Sequence, residues 1–297
     1  MNKQYNSDYE LTVVCPVYNE VDNMERLEKS FADFLPKADV KTCVLFVDDG
    51  STDGSRERIV DMCSRHDDFF YILMARNGGL SAAMKAGFDA SRSRLTGYID
   101  ADLQTAPEDF NLLLPYTAEY ELVTGIRANR KDSGFKNLQS KIANGFRRKM
   151  TGDTAKDTGC PLKIIHTDVA RRLPFFTGMH RFLPALILLE KGRMQQIPVR
   201  HFPRTAGVSK YHLWNRLVSP FMDCFAYRWM RQRYIFNEFE KTDTGIISTD
   251  RRSILAGSAQ RTSDNINLEV SSVSVDKSDG QTVTEAVTNS ELSPNKQ

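Results

Sequence analysis

The chain has 297 residues, 40% of them hydrophobic, with 40 Lys+Arg against 38 Asp+Glu and a formal net charge of +2. That length allows one large domain or two small ones, and a mean hydropathy of -0.44 excludes a membrane-embedded chain. No uncharged apolar stretch reaches the roughly 18 residues of a spanning helix, the polar first ten residues lack a secretory leader's apolar core, and five cysteines without a CxxC pair exclude a disulfide framework or zinc site and favour a reducing cytoplasm.

In chain order, Leu11–Val14 is a short apolar run closed by Cys15-Pro16, and Cys43–Val47 is closed by Asp48-Asp49-Gly50. Phe69–Met74 ends at Arg76-Asn77-Gly78-Gly79, Gly97–Ile99 ends at Asp100, and Leu122-Val123 precedes Thr124-Gly125. Between these runs, Met24, Leu27 and Phe31, then Ala83, Ala86, Gly87 and Ala90, recur at helical spacing. Short continuous strands alternating with helices predict an α/β fold, a mainly parallel sheet with helices on both faces. Ligands of such sheets bind beyond the carboxyl ends of the strands, where all five polar clusters fall.

Beyond residue 130 the character changes. Lys+Arg minus Asp+Glu is −9 over residues 1–120, +13 over 121–240 and −2 over 241–297, so the middle third calls for an anionic partner. Phe135, Leu138, Ile142, Phe146 and Met150 share a helical spacing with Lys136, Lys141, Arg147, Arg148 and Lys149. Trp214, Leu217, Val218, Phe221, Phe225 and Trp229 form a second stripe flanked by Arg216, Arg228, Arg231 and Arg233, with Pro220 expected to kink or divide it. Such segments fit either a membrane interface or ordinary core packing. Residues 241–297 hold no aromatic residue and predict a disordered tail. The expected organisation is a catalytic domain over 1–212, amphipathic juxtamembrane helices over 213–240 and the tail over 241–297.

Asp100-Ala101-Asp102 after a strand sets two carboxylates where they can share a hard divalent cation and, through it, a diphosphate. With Val13–Glu20, Phe46–Asp53, Arg76–Ala83 and Ile99–Glu108 in this order and spacing, the chain closely resembles the family 2 glycosyltransferases over residues 10–235, which implies their Rossmann-like GT-A fold. The DADLQ-x-x-PE form, Lys156-Asp157-Thr158-Gly159-Cys160-Pro161-Leu162-Lys163 and Arg204-Thr205-Ala206-Gly207-Val208-Ser209-Lys210-Tyr211 resemble the polyprenyl-phosphate branch, which includes dolichol-phosphate mannose synthase. Where that branch usually reads Gly-Phe-Arg after its Asp, this chain has Cys160-Pro161-Leu162-Lys163, which suggests a bacterial subgroup.

The resemblance implies roles by motif position. Pro16, Tyr18, Glu20, Asp49, Arg76, Asp100 and Ala101 would bind the nucleotide. Asp100, Asp102 and Gln104 would hold Mg2+ or Mn2+, and Asp102 and Asp157 would stand at the reacting centre. Arg127, Lys141, Arg204, Ser209 and Lys210 would gather donor and acceptor phosphates. The implied activity is inverting transfer of a hexose from a GDP-mannose or UDP-glucose type donor to a polyprenyl (undecaprenyl or dolichyl) phosphate. An acceptor phosphate is already mostly ionised at neutral pH, its second pKa being about 6, so Asp157 is expected to position groups rather than remove a proton. Transfer to a saccharide hydroxyl is the alternative; a degenerate nucleotide-binding subunit and a nucleic-acid binder fit the motifs less well. The expected location is the cytoplasmic face of a bacterial cell membrane, held peripherally or by a separate membrane-anchoring protein, with homo-oligomerisation left open and no nucleic acid.

Overall fold

The computed structural model describes residues 5, 8–127, 144–203 and 213–236. A seven-stranded sheet runs in the order β3-β2-β1-β4-β6-β5-β7. Its strands are β1 (Leu11–Val17), β2 (Thr42–Asp48), β3 (Phe69–Leu73), β4 (Leu95–Tyr98), β5 (Leu122–Arg127), β6 (Lys163–His166) and β7 (Met194–Val199). β6 pairs antiparallel with both β4 and β5; every other pairing is parallel. The α/β architecture with a mainly parallel sheet is therefore as the sequence predicts, with β6 and β7 added to the five strands expected.

β1 and β2 are buried along their whole length, as strands covered on both faces must be. Their side chains alternate between two apolar layers. Val13, Val44 and Phe46 join α1 (Met24–Phe34), α2 (Ser55–Arg65) and α4 (Phe110–Leu113) on one face. Val14, Leu45 and Val47 join α3 (Leu80–Ala90), α6 (Thr167–Arg172) and α7 (Leu183–Leu189) on the other. Phe46 meets Phe31 edge-on at 5.6 Å and Phe69 at 5.4 Å, and burying each ring is worth about 1.5–3 kcal/mol. A Cβ on Gly87 would lie 2.3 Å from Val14 Cγ1, so α3 sits closer to β1 than any other residue permits.

β1 continues through Cys15-Pro16 instead of ending there. Val14 turns its carbonyl to Ile99 N beyond β4 and Val17 turns its carbonyl to Asp49 N beyond β2. By that alternation Pro16 faces the β4 side, where the β1–β4 pairing has already stopped at Val14↔Tyr98. Its missing N–H leaves no ladder bond unmade.

The basic middle third is less uniformly exposed than its composition suggests. Within α5, described over residues 144–151, Arg147 is 8% exposed and donates to Asp153 at 2.7 Å and to the Ala155 carbonyl at 2.8 Å. α8 (Leu213–Arg233) is one continuous helix through Pro220, not two. Its Cys224 and Tyr227 are buried, and the Tyr227 hydroxyl donates to the Ala185 carbonyl of α7 at 2.8 Å. Phe221, Met222, Phe225 and Trp229 are 47–62% exposed, while the side chains of Trp214, Leu217 and Val218 lie outside the described residues, as does the 241–297 tail. No helix among the described residues is long and apolar enough to cross a membrane, and all five cysteines are buried and free.

Removing the carboxylate from a buried ion pair strands its cation at a cost of about 3–5 kcal/mol. Asp153→Ala is expected to lower the unfolding free energy by that amount in urea titrations, because the Arg147 guanidinium has no route to water.

Candidate active site

The strand order reverses direction at β1, between β2 and β4, and a crevice at such a switch point is where open α/β sheets bind ligands. The loops after β1, β2, β3 and β4 meet there. Because β6 is antiparallel, it enters the sheet from this same edge and brings the Asp157–Lys163 segment with it.

After β2, Asp48 and Asp49 divide the work. Asp48 is fully buried and receives Arg56 Nε and Nη2 at 2.9 and 2.8 Å and Ser51 N at 3.1 Å. It ties α2 to the sheet and faces no ligand. Asp49 accepts Gly78 N at 2.7 Å and Gly79 N at 2.9 Å, so it holds the Arg76–Gly79 loop in place. Burial raises its carboxyl, the two amides pull it back, and Asp48 pushes it up again. Gly50, at φ +73°, passes so close that a Cβ would meet Asn77 N at 2.6 Å. Arg76 stands exposed on that loop. After β1, Tyr18 is 36% exposed, and Glu20 accepts Asn23 Nδ2 at 2.7 Å while its own amide donates to Ser55 Oγ at 2.9 Å. Asn19, at φ 51°, exchanges bonds with Ser51 Oγ and Thr52 N.

After β4, Asp100 accepts the Tyr98 hydroxyl. Ala101 is buried, Asp102 is 8% exposed, and Leu103 takes a left-handed φ of 53° that lets Gln104 N turn back to Asp102 Oδ1 at 3.1 Å. A non-glycine residue held in this region costs energy that the surroundings must repay. The Gln104 carbonyl accepts Phe202 N at 2.9 Å and bonds His201 Nδ1 at 3.1 Å. Arg200 bonds Asp109 through Nε at 2.7 Å and its amide at 2.8 Å. The Asp100–Gln104 loop is thus clamped to the end of β7.

Asp157 lies against Arg127 at the end of β5, with Nε and Nη2 donating at 2.8 and 2.9 Å and Gly159 N at 3.0 Å. Burial alone would raise this carboxyl, but Arg127 and the amides hold it below its ordinary range. Gln196 of β7 fixes the loop from behind, bonding Lys156 N at 2.6 Å and the Asp157 carbonyl at 2.9 Å. Arg127, expected on a phosphate, spends two donors on Asp157. Lys141, Arg204, Ser209 and Lys210 lie outside the described residues.

Two side chains at this edge, Lys163 and His180, carry no sequence expectation. Lys163 opens β6 and is 3% exposed; burial pushes its ammonium down, and Cys160, Asp100 and Asp157 oppose that shift in part. His180 Nδ1 stands 3.2 Å from Ser81 Oγ in the first turn of α3, and burial beside Arg181 and Lys163 takes it down to about 3, so it is neutral. The consecutive His180-Arg181 in a chain of only 5 His was the signal available.

No group of three or more His, Cys, Asp or Glu converges on a cation among the described residues. Asp100 and Asp102 are hard oxygen donors at one strand end, which suits a divalent ion whose remaining ligands are phosphate and water.

A glycosyl transferase family 2 profile matches residues 12–174. The chain is 34% identical over 208 residues to the dodecaprenyl-phosphate galacturonate synthase of Rhizobium johnstonii, covering 68% of this chain and 62% of that protein. It is 33% identical over 205 residues to the undecaprenyl-phosphate 4-deoxy-4-formamido-L-arabinose transferase of Edwardsiella ictaluri, covering 68% and 63%. The chain thus spans less than two thirds of the length of these relatives. Among solved structures, glucosyl-3-phosphoglycerate synthase of Mycobacterium tuberculosis matches at TM-score 0.53 and 15% identity over 80% of this chain and 85% of that one. The Pyrobaculum calidifontis mannosyltransferase PcManGT, solved with GDP-Man and Mn2+, matches at TM-score 0.53 and 19% identity over 75% and 64%. These two likenesses establish the fold.

A carboxyl lowered on folding adds stability above its ordinary value, here 3.8, and loses it as the pH falls through the folded value. Asp157→Asn is therefore expected to cost most stability near neutral pH and progressively less in urea titrations carried toward about pH 3; an undiminished cost there would mean that the Arg127 pair is not its source.

Proposed function

The chain belongs to glycosyl transferase family 2, and from that premise we propose that it transfers a hexose, with inversion, from a nucleoside-diphosphate sugar to a polyprenyl phosphate. The observation that carries the acceptor is the Arg127–Asp157 pair. A hydroxyl acceptor needs a general base, and a carboxylate held below its ordinary range by a bidentate arginine is a poor one. A phosphate acceptor needs none. One of its ionised oxygens attacks the anomeric carbon as the bond to the diphosphate breaks, and the leaving diphosphate keeps the electron pair. The names of both curated relatives specify a polyprenyl phosphate, which supports the same acceptor.

Asp100 and Asp102 would hold Mg2+ or Mn2+, which when bound neutralises charge on the departing diphosphate. Pro16, Tyr18, Glu20, Asp49 and Arg76 would line the nucleotide, Asp49 by keeping the Gly78-Gly79 loop against it. Asp157 would hold the Arg127 guanidinium in place beside the phosphates. Arg204, Ser209 and Lys210 would complete the anion site. Arg204 follows Pro203 directly, and the Arg200–Phe202 tether to the metal loop supports that role.

Membrane contact would be made by the exposed face of α8. Phe221 stacks on Phe146 at 5.0 Å and meets Phe225 at 5.2 Å. Trp229 is 62% exposed with Arg233 over its ring at 5.5 Å, and Arg148, Lys149, Arg228 and Arg231 are exposed around them. An aromatic face ringed by cations suits the headgroup level of an anionic bilayer, here the cytoplasmic leaflet.

Labelled nucleotide sugars, Mn2+ and undecaprenyl phosphate, followed by organic extraction, test the reaction. Lipid-soluble label is expected, falling by roughly a hundredfold or more in Asp102→Ala as an electrostatic stabiliser is lost. The rate should rise with the acceptor's second ionisation at about pH 6 and then level, with the same profile in Asp157→Asn. Water-soluble labelled glycan instead would move the acceptor to a saccharide hydroxyl. In flotation assays, vesicles containing phosphatidylglycerol are expected to carry the protein at low salt. Phosphatidylcholine vesicles, and the Phe225→Ser/Trp229→Ser double variant, should not; equal flotation of both would remove α8 from the interface.

A further inference from the structure

Lys163 sits in register with Tyr98 of β4 on one side and Thr124 of β5 on the other. Its ammonium donates to the Cys160 carbonyl and stands 5.5 Å from the centroid of the Tyr98 ring. The hydroxyl of that tyrosine donates to Asp100. A cation 3% exposed therefore lies one side chain behind the first carboxylate of the metal loop, within the electrostatic reach of both Asp100 and Asp157. Burying an ammonium among uncharged partners is a net cost to folding, and an apolar side chain of similar length fills the same space without that cost. Fold stability gives no reason for a lysine here; the charge does.

The crevice must serve two ligands of opposite sign. Carboxylates alone would draw in a divalent ion and repel a diphosphate. A fixed cation behind them has the reverse effect on each, because the coulombic energy changes sign with the ligand while the distance stays the same.

We propose that Lys163 is an electrostatic positioning residue that biases the acidic crevice toward the donor's diphosphate and against the metal ion alone. The proposal rests on the nucleotide-sugar reading given above. It acts through the field at Asp100 and through the Tyr98 bond, with no contact to the reacting atoms.

The test uses the full chain with Lys163→Met and, as a variant that keeps a donor for the Cys160 carbonyl, Lys163→Gln. Mn2+ affinity without nucleotide is read by electron paramagnetic resonance of the free ion. Affinities for UDP and GDP at saturating Mg2+ are read by calorimetry. Loss of the charge is expected to tighten Mn2+ binding about three- to tenfold and to weaken the better of the two nucleotides about tenfold, the size of one partly screened unit charge. Lys163→Arg should restore both toward wild type, and the urea midpoint of Lys163→Met should be equal or higher. A lysine of purely structural value would weaken both ligands together, change neither, or leave both uncharged variants unfolded. Each of those results overturns the proposal and leaves the nucleotide-sugar reading intact, provided that wild type binds the ion and a diphosphate. A wild type that binds neither removes both.

Discussion

Four carboxylates, Asp49, Asp100, Asp102 and Asp157, gather at the carboxyl edge of one sheet, and the ligands implied for that edge are themselves anions. Every other feature of the site answers that excess of negative charge. Asp49 is held by two backbone amides. Asp157 is held by a bidentate arginine and a third amide. Asp100 has a tyrosine hydroxyl and, behind it, the Lys163 ammonium. Charge-assisted bonds of this kind are the strong ones, and at Asp157 they hold the carboxyl below its ordinary range against the effect of burial. Asp102 accepts the Gln104 amide of its own loop.

The reversed strand makes this possible. In an all-parallel sheet, each strand would reach the ligand edge only at its end and would contribute one loop there. β6 starts at that edge, so the loop before it supplies Asp157, and its first residue, Lys163, lies in register between the last residues of β4 and the middle of β5. Side chains on a strand are held far more tightly than side chains on a loop, and a charge meant to act at a fixed distance has to be on such an element. β7 then supports the arrangement from outside: Gln196 braces the Asp157 loop, and Arg200 bonds Asp109 beyond the Asp100–Gln104 loop.

The strand ends of β2 to β4 were legible because each closes an apolar run with a polar cluster, whereas β1 runs on through Cys15-Pro16 to Val17. β6 and β7 were not legible. Lys163–His166 is four residues without alternation after a loop, and Met194–Val199 carries two adjacent glutamines and has Pro198 inside it, which only an edge strand tolerates. The partners of the motif residues were not legible either: Asp157 with Arg127 is a pairing across 30 residues, and Ser81 with His180 one across 99. Arg147 reads as a surface charge in a basic run because nothing local shows that Asp153 and the Ala155 carbonyl enclose it. The aromatic stripe of α8 was visible, yet a stripe looks alike whether it faces a core or a bilayer.

In α8 one apolar face is buried and another is exposed. Cys224 and Tyr227 already satisfy its need for a core, and Tyr227 is bonded to α7. The exposed rings of Phe221, Phe225 and Trp229 are therefore surplus to folding. The same helix places Asp223 against Gly178, where a Cβ would come within 3.1 Å of its carboxylate. Gly178 N bonds Ser81 Oγ in α3 at 3.1 Å, and α3 begins at the Gly79 amide that holds Asp49. A continuous path of packed groups thus runs from the exposed aromatic face to the nucleotide loops. If α8 meets a bilayer as proposed, that path ties the orientation of the crevice to the orientation of the helix, which Tyr227 docks on α7.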